Sequence, residues 1–223
     1  MTALAPAEAY ALWAPSYGAE TAVSALEASL VSRLNVELRG KRLLDVGCGI
    51  ARRLRDARAM GAALAVGVDL TPRMLAQAAA DELLAAADVR ALPTTSDAFD
   101  VVWCRLVLGH LAELDAAYAE LARVCAAGGV VIASDFHPDA VAAGHRRTFR
   151  DDAGIVHEVE HHVHTPDAHV AAAARAGLSL VTRMDGVVDE AVRALYERAG
   201  RLDMFEAQRG LPIVLVLAFT RSA

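Results

Sequence analysis

The chain has little cysteine, no clustered positive charge and no long apolar run, and each shortage excludes a class of protein. Its 223 residues hold three cysteines, Cys48, Cys104 and Cys125, widely spaced and without a CxxC pair. An odd, scattered set supports neither a disulfide framework nor a cysteine zinc site, and it is what a reducing, cytoplasmic setting leads one to expect. The 22 Lys and Arg are outnumbered by 28 Asp and Glu, for a formal charge of −6, and they are spread along the chain. Duplex binding ordinarily needs a basic stripe, so no nucleic-acid partner is expected. The longest clean apolar stretch, Ile213–Phe219, is too short to span a bilayer, and the first residues lack the basic start and apolar run of a signal peptide. No membrane partner is expected either. No repeat and no Gly/Ser- or Pro-rich linker interrupts the sequence, which reads as one domain.

What is present suits a packed α/β domain. Hydrophobic residues make up 55% and charged residues 22%, enough apolar material for a core and an ordinary polar surface. Residues 7–38 have a helical period broken around Pro15-Ser16-Tyr17-Gly18, which predicts two helices. Short apolar runs follow at Arg42–Val46, Ala65–Asp69, Ala86–Val89, Phe99–Trp103, Val130–Ser134, Leu178–Thr182 and Ile213–Phe219, and Val156–Val163 alternates like a strand. Helical segments separate many of them: about Ala51–Met60 with Gly61 as its left-handed stop, Thr71-Pro72 to about Ala85, and Asp115–Cys125. Two more run from Thr165-Pro166 to Gly177 and over about Val188–Ala199. Strands alternating with helices predict a doubly wound, mainly parallel sheet with ligands at the carboxyl ends of its strands.

The most informative segment is Leu43-Leu44-Asp45-Val46-Gly47-Cys48-Gly49-Ile50-Ala51, a strand entering a glycine turn and then a helix. Glycine permits the tight turn and a close ligand approach. Asp69 lies twenty residues after Gly49, at the tip of the next strand, where such folds place a carboxylate for ribose hydroxyls. Together these features point to a nucleoside. A dinucleotide fingerprint needs a third glycine where Arg52 stands, and Asp45 would repel a pyrophosphate on the same loop. A ligand without phosphate and with a cationic portion, such as S-adenosylmethionine, suits that acid; alternatively Asp45 is a polar strand end that satisfies loop amides.

Leu44-Asp45-Val46-Gly47-Cys48-Gly49 resembles motif I of the class I S-adenosylmethionine-dependent methyltransferases. Val66-Gly67-Val68-Asp69-Leu70-Thr71-Pro72-Arg73-Met74-Leu75 resembles their motif II, and Ala87-Asp88-Val89-Arg90-Ala91-Leu92-Pro93 with Phe99-Asp100-Val101-Val102 resembles the third and fourth motifs. Leu121-Ala122-Arg123-Val124 before Gly128-Gly129-Val130-Val131 is similar to the segment that leads into the fifth strand. The likeness covers about residues 40–135 and is strongest to the subgroup of quinone-ring and biotin-pathway carboxyl methyltransferases. It implies a Rossmann-like, seven-stranded class I methyltransferase fold with N-terminal lid helices, S-adenosylmethionine as cofactor, and methyl transfer to a small molecule. The implied plan is a helical lid at 1–38, a cofactor-binding core at 40–135, an acceptor-pocket insertion at 136–165 and the C-terminal part of the sheet at 166–223.

The resemblance also assigns residues. Gly47 and Gly49 would pass under the methionyl part with Asp45 near its ammonium through water or backbone, and Asp69 would take the ribose hydroxyls while Leu70 packs on adenine. Asp88 would accept from the adenine amino group, the Val89 amide would meet a ring nitrogen, and Cys104 and Arg105 would lie beside the transferring methyl. Tyr10, Trp13 and Tyr17 resemble the lid aromatics, Tyr17 being taken as a cofactor contact; ordinary core packing is the alternative for all three. One departure stands out: the fifth loop position is Ala51 where the family has glycine, which predicts a shifted or weakened cofactor site.

Methyl transfer needs alignment and exclusion of water, and a base only when the acceptor must lose a proton. His137, at the end of the fifth strand, is the candidate base; His110 reads more naturally as local capping or packing. In His157–His164 a strand period would put Glu158, Glu160, His162 and His164 on one face, a metal-ligating set by chemistry but one lacking convergence, so no metal is assigned. O-methylation is preferred among acceptors. Two other functions remain at this level: a non-catalytic module that binds S-adenosylmethionine or S-adenosylhomocysteine, favoured by Ala51, and a nicotinamide oxidoreductase, opposed by Arg52 and Asp45.

Overall fold

A computed structural model describes residues 3–222. Two helices open it, α1 (Pro6–Trp13) and α2 (Ala22–Arg33), the latter started by a reciprocal cap between Thr21 and Ser24. The sheet then begins with β1 (Arg42–Val46), α3 (Arg52–Ala59), β2 (Leu64–Asp69), α4 (Pro72–Leu75), β3 (Leu83–Ala86) and β4 (Phe99–Arg105). It continues through α5 (Asp115–Val124), β5 (Cys125–Phe136), α6 (Pro138–Ala142) and a small hairpin of β6 (Thr148–Arg150) and β7 (Val156–Glu158). The chain finishes with α7 (Pro166–Arg175), β8 (Leu178–Val187), α8 (Arg193–Arg198), α9 (Leu202–Gln208) and β9 (Pro212–Arg221).

Seven strands form one sheet in the order β3-β2-β1-β4-β5-β9-β8. The first five are parallel, and β9 enters antiparallel between β5 and β8. Strand order reverses between β1 and β4, the place where a doubly wound sheet opens a crevice at its carboxyl ends. Both faces of the central strands are covered, which is why β1, β4 and β9 read as apolar runs without alternation. One face packs α5 and α7 around fully buried Tyr118, Leu121 and Phe219; the other packs α2, α3 and the α8–α9 pair around Leu43, Phe205 and Ile213. A third cluster, Ala9, Phe149 and Val159, joins α1 to the β6–β7 hairpin, reinforced by Trp13 stacked on Phe149 at 4.9 Å.

Several sequence-based boundaries move. The helix expected from Thr71 to about Ala85 stops after one turn at Leu75, because Leu83–Ala86 instead pairs with Val66–Asp69 as β3, which the alanine-rich sequence conceals. The strand expected over Val156–Val163 ends at Glu158. Beyond it the backbone bonds outside the hairpin, Glu160 N–H to Leu4 O (2.8 Å) and His162 N–H to Gly109 O (2.7 Å), so the expected one-faced acid and histidine row does not form. Among the described residues no helix is long and apolar enough to cross a membrane.

Candidate functional site

A cavity of about 650 Å³ lies where β1 and β4 end, roofed by α1 and α2. Its floor is the turn after β1. Gly47 and Gly49 have φ of 72° and 57°, and a Cβ on Gly47 would lie 2.1 Å from a Val107 methyl, so side chains are excluded there for both conformational and steric reasons. The turn is pinned to β2: Gly47 N–H and Cys48 N–H both donate to Val68 O at 2.8 and 3.0 Å. Asp69 completes the fastening. One carboxylate oxygen accepts from Gly49 N–H at 2.9 Å and the other from Thr71 N–H at 2.8 Å, while burial raises its carboxyl above the usual range.

Gly47, Gly49, Asp69, Leu70, Asp88, Val89, Arg105 and Tyr17 all line this cavity. Leu70 is half exposed there, and Asp88 is held by Arg90, whose side chain keeps the carboxyl below its usual range. Three expected site residues are placed elsewhere. Asp45 is fully buried behind the turn, bonded through both oxygens to Arg53 at 2.9 and 3.1 Å; Arg53 also donates to Gly47 O. Its charge therefore braces the loop from beneath and does not face a ligand ammonium. Cys104 points into the core between the sheet and α5, since strand alternation gives the cavity side to Arg105, and burial pushes its thiol up.

His137, the expected base, is a helix cap. Its Nδ1 accepts from Asp139 N–H at 3.2 Å at the start of α6, its Nε2 lies 3.6 Å from Asp185, and the ring is buried away from the cavity. The expectation about Ala51 also changes. It is left-handed (φ 61°), but its methyl is 1% exposed, packs in the core and does not line the cavity. A left-handed alanine costs roughly 1 kcal/mol, and a buried methyl returns about 0.8 kcal/mol. Ala51→Gly is therefore expected to change stability by less than about 1 kcal/mol and to leave ligand affinity within about threefold, checked by thermal melts and titration calorimetry.

Two arrangements on the cavity wall escaped the sequence reading. The first is Glu27 of α2, which accepts from Arg105 Nε (2.7 Å) and Nη2 (2.5 Å) and from the Ser134 hydroxyl (2.8 Å). Both partners of the pair are under 8% exposed, and the guanidinium lies over the Trp103 ring at 5.1 Å. Burial alone would raise the Glu27 carboxyl, but the adjacent Arg105 outweighs it and holds the group below its usual range. The available signal was an acid on the face of a helix that otherwise buries Leu26 and Leu30.

The second is a chain of hydrogen bonds at the α1 end. Arg147 Nη2 donates to the Tyr10 hydroxyl at 2.5 Å and to Leu106 O at 3.1 Å. The Tyr10 hydroxyl lies 3.1 Å from His110 Nε2, and His110 Nδ1 lies 3.1 Å from Glu160 O. A carbonyl can only accept, so Nδ1 carries the ring proton and Nε2 accepts from tyrosine. Burial first and Arg147 second push His110 down to about 3, keeping it neutral, and burial pushes Tyr10 up to about 12. Arg147 Nη1 is buried and has no partner among the described residues. Tyr10, His110 and Arg147 all line the cavity, whereas Trp13 serves packing.

The sheet order, the glycine turn and the acid at the end of β2 define the class: this is the class I S-adenosylmethionine-dependent methyltransferase fold. Residues 44–133 match the family model described as a methyltransferase domain. A malonyl-[acyl-carrier protein] O-methyltransferase of Erwinia billingiae is 30% identical over 138 residues, covering 60% of this chain and 55% of that protein. A ubiquinone biosynthesis O-methyltransferase of Pseudomonas entomophila is 34% identical over 107 residues, covering 44% of this chain and 46% of that one. The chain thus spans about half the length of the curated relatives it matches. Among solved structures, an S-adenosylmethionine-dependent methyltransferase from Mesorhizobium loti superposes with a TM-score of 0.70 at 23% identity, covering 88% of this chain and 98% of that one.

Proposed function

We propose that this protein binds S-adenosylmethionine in the cavity and transfers its methyl group to a carboxylate oxygen of a small acceptor. The observation that carries the acceptor class is Arg147, a guanidinium that lines the cavity and whose Nη1 is buried without a partner among the described residues. An unsatisfied guanidinium donor costs free energy that an anionic oxygen reaching Nη1 recovers through a charge-assisted hydrogen bond, Nη2 being already committed to Tyr10 and Leu106. Protonation logic points the same way. At this end of the cavity the imidazole of His110 has both nitrogens engaged and the Tyr10 hydroxyl holds its proton, so neither serves as a base near neutral pH. A carboxylate needs none, being ionised already.

The cofactor reading rests on the cradle. Glycines at positive φ leave a floor without side chains, Asp69 offers an acceptor for paired hydroxyls, and Leu70 and Val89 supply an apolar wall for a purine. When bound, S-adenosylmethionine supplies an activated methyl on sulfur. The chain's own work is to hold and to orient: Asp69 fixes the turn, Arg147 fixes the acceptor oxygen, His110 fixes the Tyr10 hydroxyl, and α1 and α2 exclude water. The relatives' names, with malonyl-[acyl-carrier protein] as acceptor, suit a carboxylate bearing a thioester.

Transfer of labelled methyl to a panel of mono- and dicarboxylic acids and a malonyl thioester tests this reading. Arg147→Met is expected to lower kcat/KM for the best carboxylate by about 100-fold or more, with S-adenosylmethionine affinity unchanged. His137→Ala is expected to leave kcat/KM unchanged. Preference for phenol or amine acceptors would overturn the carboxylate assignment. Cofactor binding without transfer to any member would favour a binding module.

A further inference from the structure

The open edge of the sheet carries a self-complementary sequence. β8 is the last strand in the order, bonded to β9 on one side and to no strand of the described residues on the other. Its register with β9 is regular over Thr182–Gly186, between a bulge at Val181 and a second irregularity after Gly186, and the midpoint of this stretch is Met184. Side chains at 181, 183, 185 and 187 are exposed, alternating with the more buried Thr182, Met184 and Gly186. Val181 is 63% and Val187 38% exposed, unusually open for valine, and Arg183 and Asp185 lie side by side between them at 3.2 Å. The exposed series is therefore Val, Arg, Asp, Val, which meets its complement when run backwards.

We infer that β8 is a homodimer interface, with a second copy of this chain pairing antiparallel to it about a two-fold axis at Met184. That operator sets Arg183 opposite Asp185 of the partner subunit and Val181 opposite Val187 of the partner subunit. Opposite charges directly across a strand pair attract, and the free backbone groups of the edge gain partners. The register is specified against its neighbours. An axis at residue 183 sets arginine against arginine, and one at 185 sets aspartate against aspartate, both repulsive. The contact uses the same patch on each copy, so it closes at two and leaves no free β8 edge to propagate. The cavity, at the ends of β1 and β4, is separated from this edge by β5 and β9 and stays open.

Sedimentation velocity on the full chain across a dilution series tests the inference. The expected result is a species of twice the chain mass. Arg183→Asp, which sets acids against acids, is expected to raise the dimer dissociation constant by about tenfold or more. The exchange of both residues, Arg183→Asp with Asp185→Arg, restores opposite charges across the axis and is expected to restore the dimer. Circular dichroism melts confirm that each variant is folded. A wild-type monomer at every concentration, a larger assembly, a dimer indifferent to charge reversal, or a folded exchange variant that stays monomeric would each overturn it.

Discussion

Replacing Asp69 with alanine is expected to weaken S-adenosylmethionine binding by roughly 30- to 1,000-fold, because the change removes a cavity acceptor and the fastening of the turn together. Each of its two bonds to backbone N–H groups is charge-assisted, and such bonds contribute roughly 1.5–3 kcal/mol apiece. Loss of about 2–4 kcal/mol from the bound state corresponds to roughly 30- to 1,000-fold in affinity. Without the carboxylate, Gly49 N–H loses its partner and the turn loses its tie to the end of β2, although the Val68 carbonyl still holds Gly47 and Cys48. Asp69→Asn keeps an acceptor oxygen and should fall between the two. Titration calorimetry with S-adenosylmethionine and S-adenosylhomocysteine reads the effect; affinity within threefold of wild type would remove Asp69 from the site.

The second large effect is on stability. Glu27→Ala leaves the Arg105 guanidinium in a buried setting without its carboxylate, and breaking such a pair from one side costs about 3–5 kcal/mol. For a chain of this size that lowers Tm by roughly 6–20 °C. Replacing both partners, Glu27→Met with Arg105→Met, removes the stranded charge and should recover a large part of the loss. The pH dependence has a definite sign. The folded-state pKa of Glu27 is depressed, so its contribution is complete above the unfolded carboxyl pKa, near 4.3, and disappears as pH falls through the lower folded value. The gap in stability between wild type and Glu27→Ala should therefore be flat around neutrality and shrink in acid. A gap that persists unchanged in acid, or a variant melting within two degrees of wild type, would contradict it.

Much of the fold was legible because its punctuation is local. Gly61 and Gly177 stop helices at φ of 92° and 82°, Thr165 caps the helix opened by Pro166, and the apolar run at Ile213–Phe219 is the centre of β9. The failures come from partners that lie outside the motifs, some distant in sequence and some near. Residues 76–86 have helical propensity, yet β2 recruits Leu83–Ala86 to the sheet. Asp45 was recognised as a loop acid, but its partner Arg53 belongs to the next helix and turns its role from ligand contact to brace. Arg147 lies in no motif, and its contact with Tyr10 closes a gap of 137 residues. His137 looked like a base because it sits at a strand end on the ligand side; the proline after it makes the same histidine a helix cap.

The position of β9 bears on how the sheet assembles. It pairs with β5 on one side and β8 on the other, and it follows both in sequence. A nascent or partly folded chain that lacks it therefore presents two unsatisfied strand edges, one belonging to the parallel half and one to β8, facing the same gap. Among the described strands, only Pro212–Arg221 joins the parallel half of the sheet to β8. The β5–β9 pairing closes a separation of 78 residues at Phe136–Val214 and 90 at Val130–Thr220, a non-local contact of the kind that slows folding, and before it forms the open slot is where another chain's strand could enter.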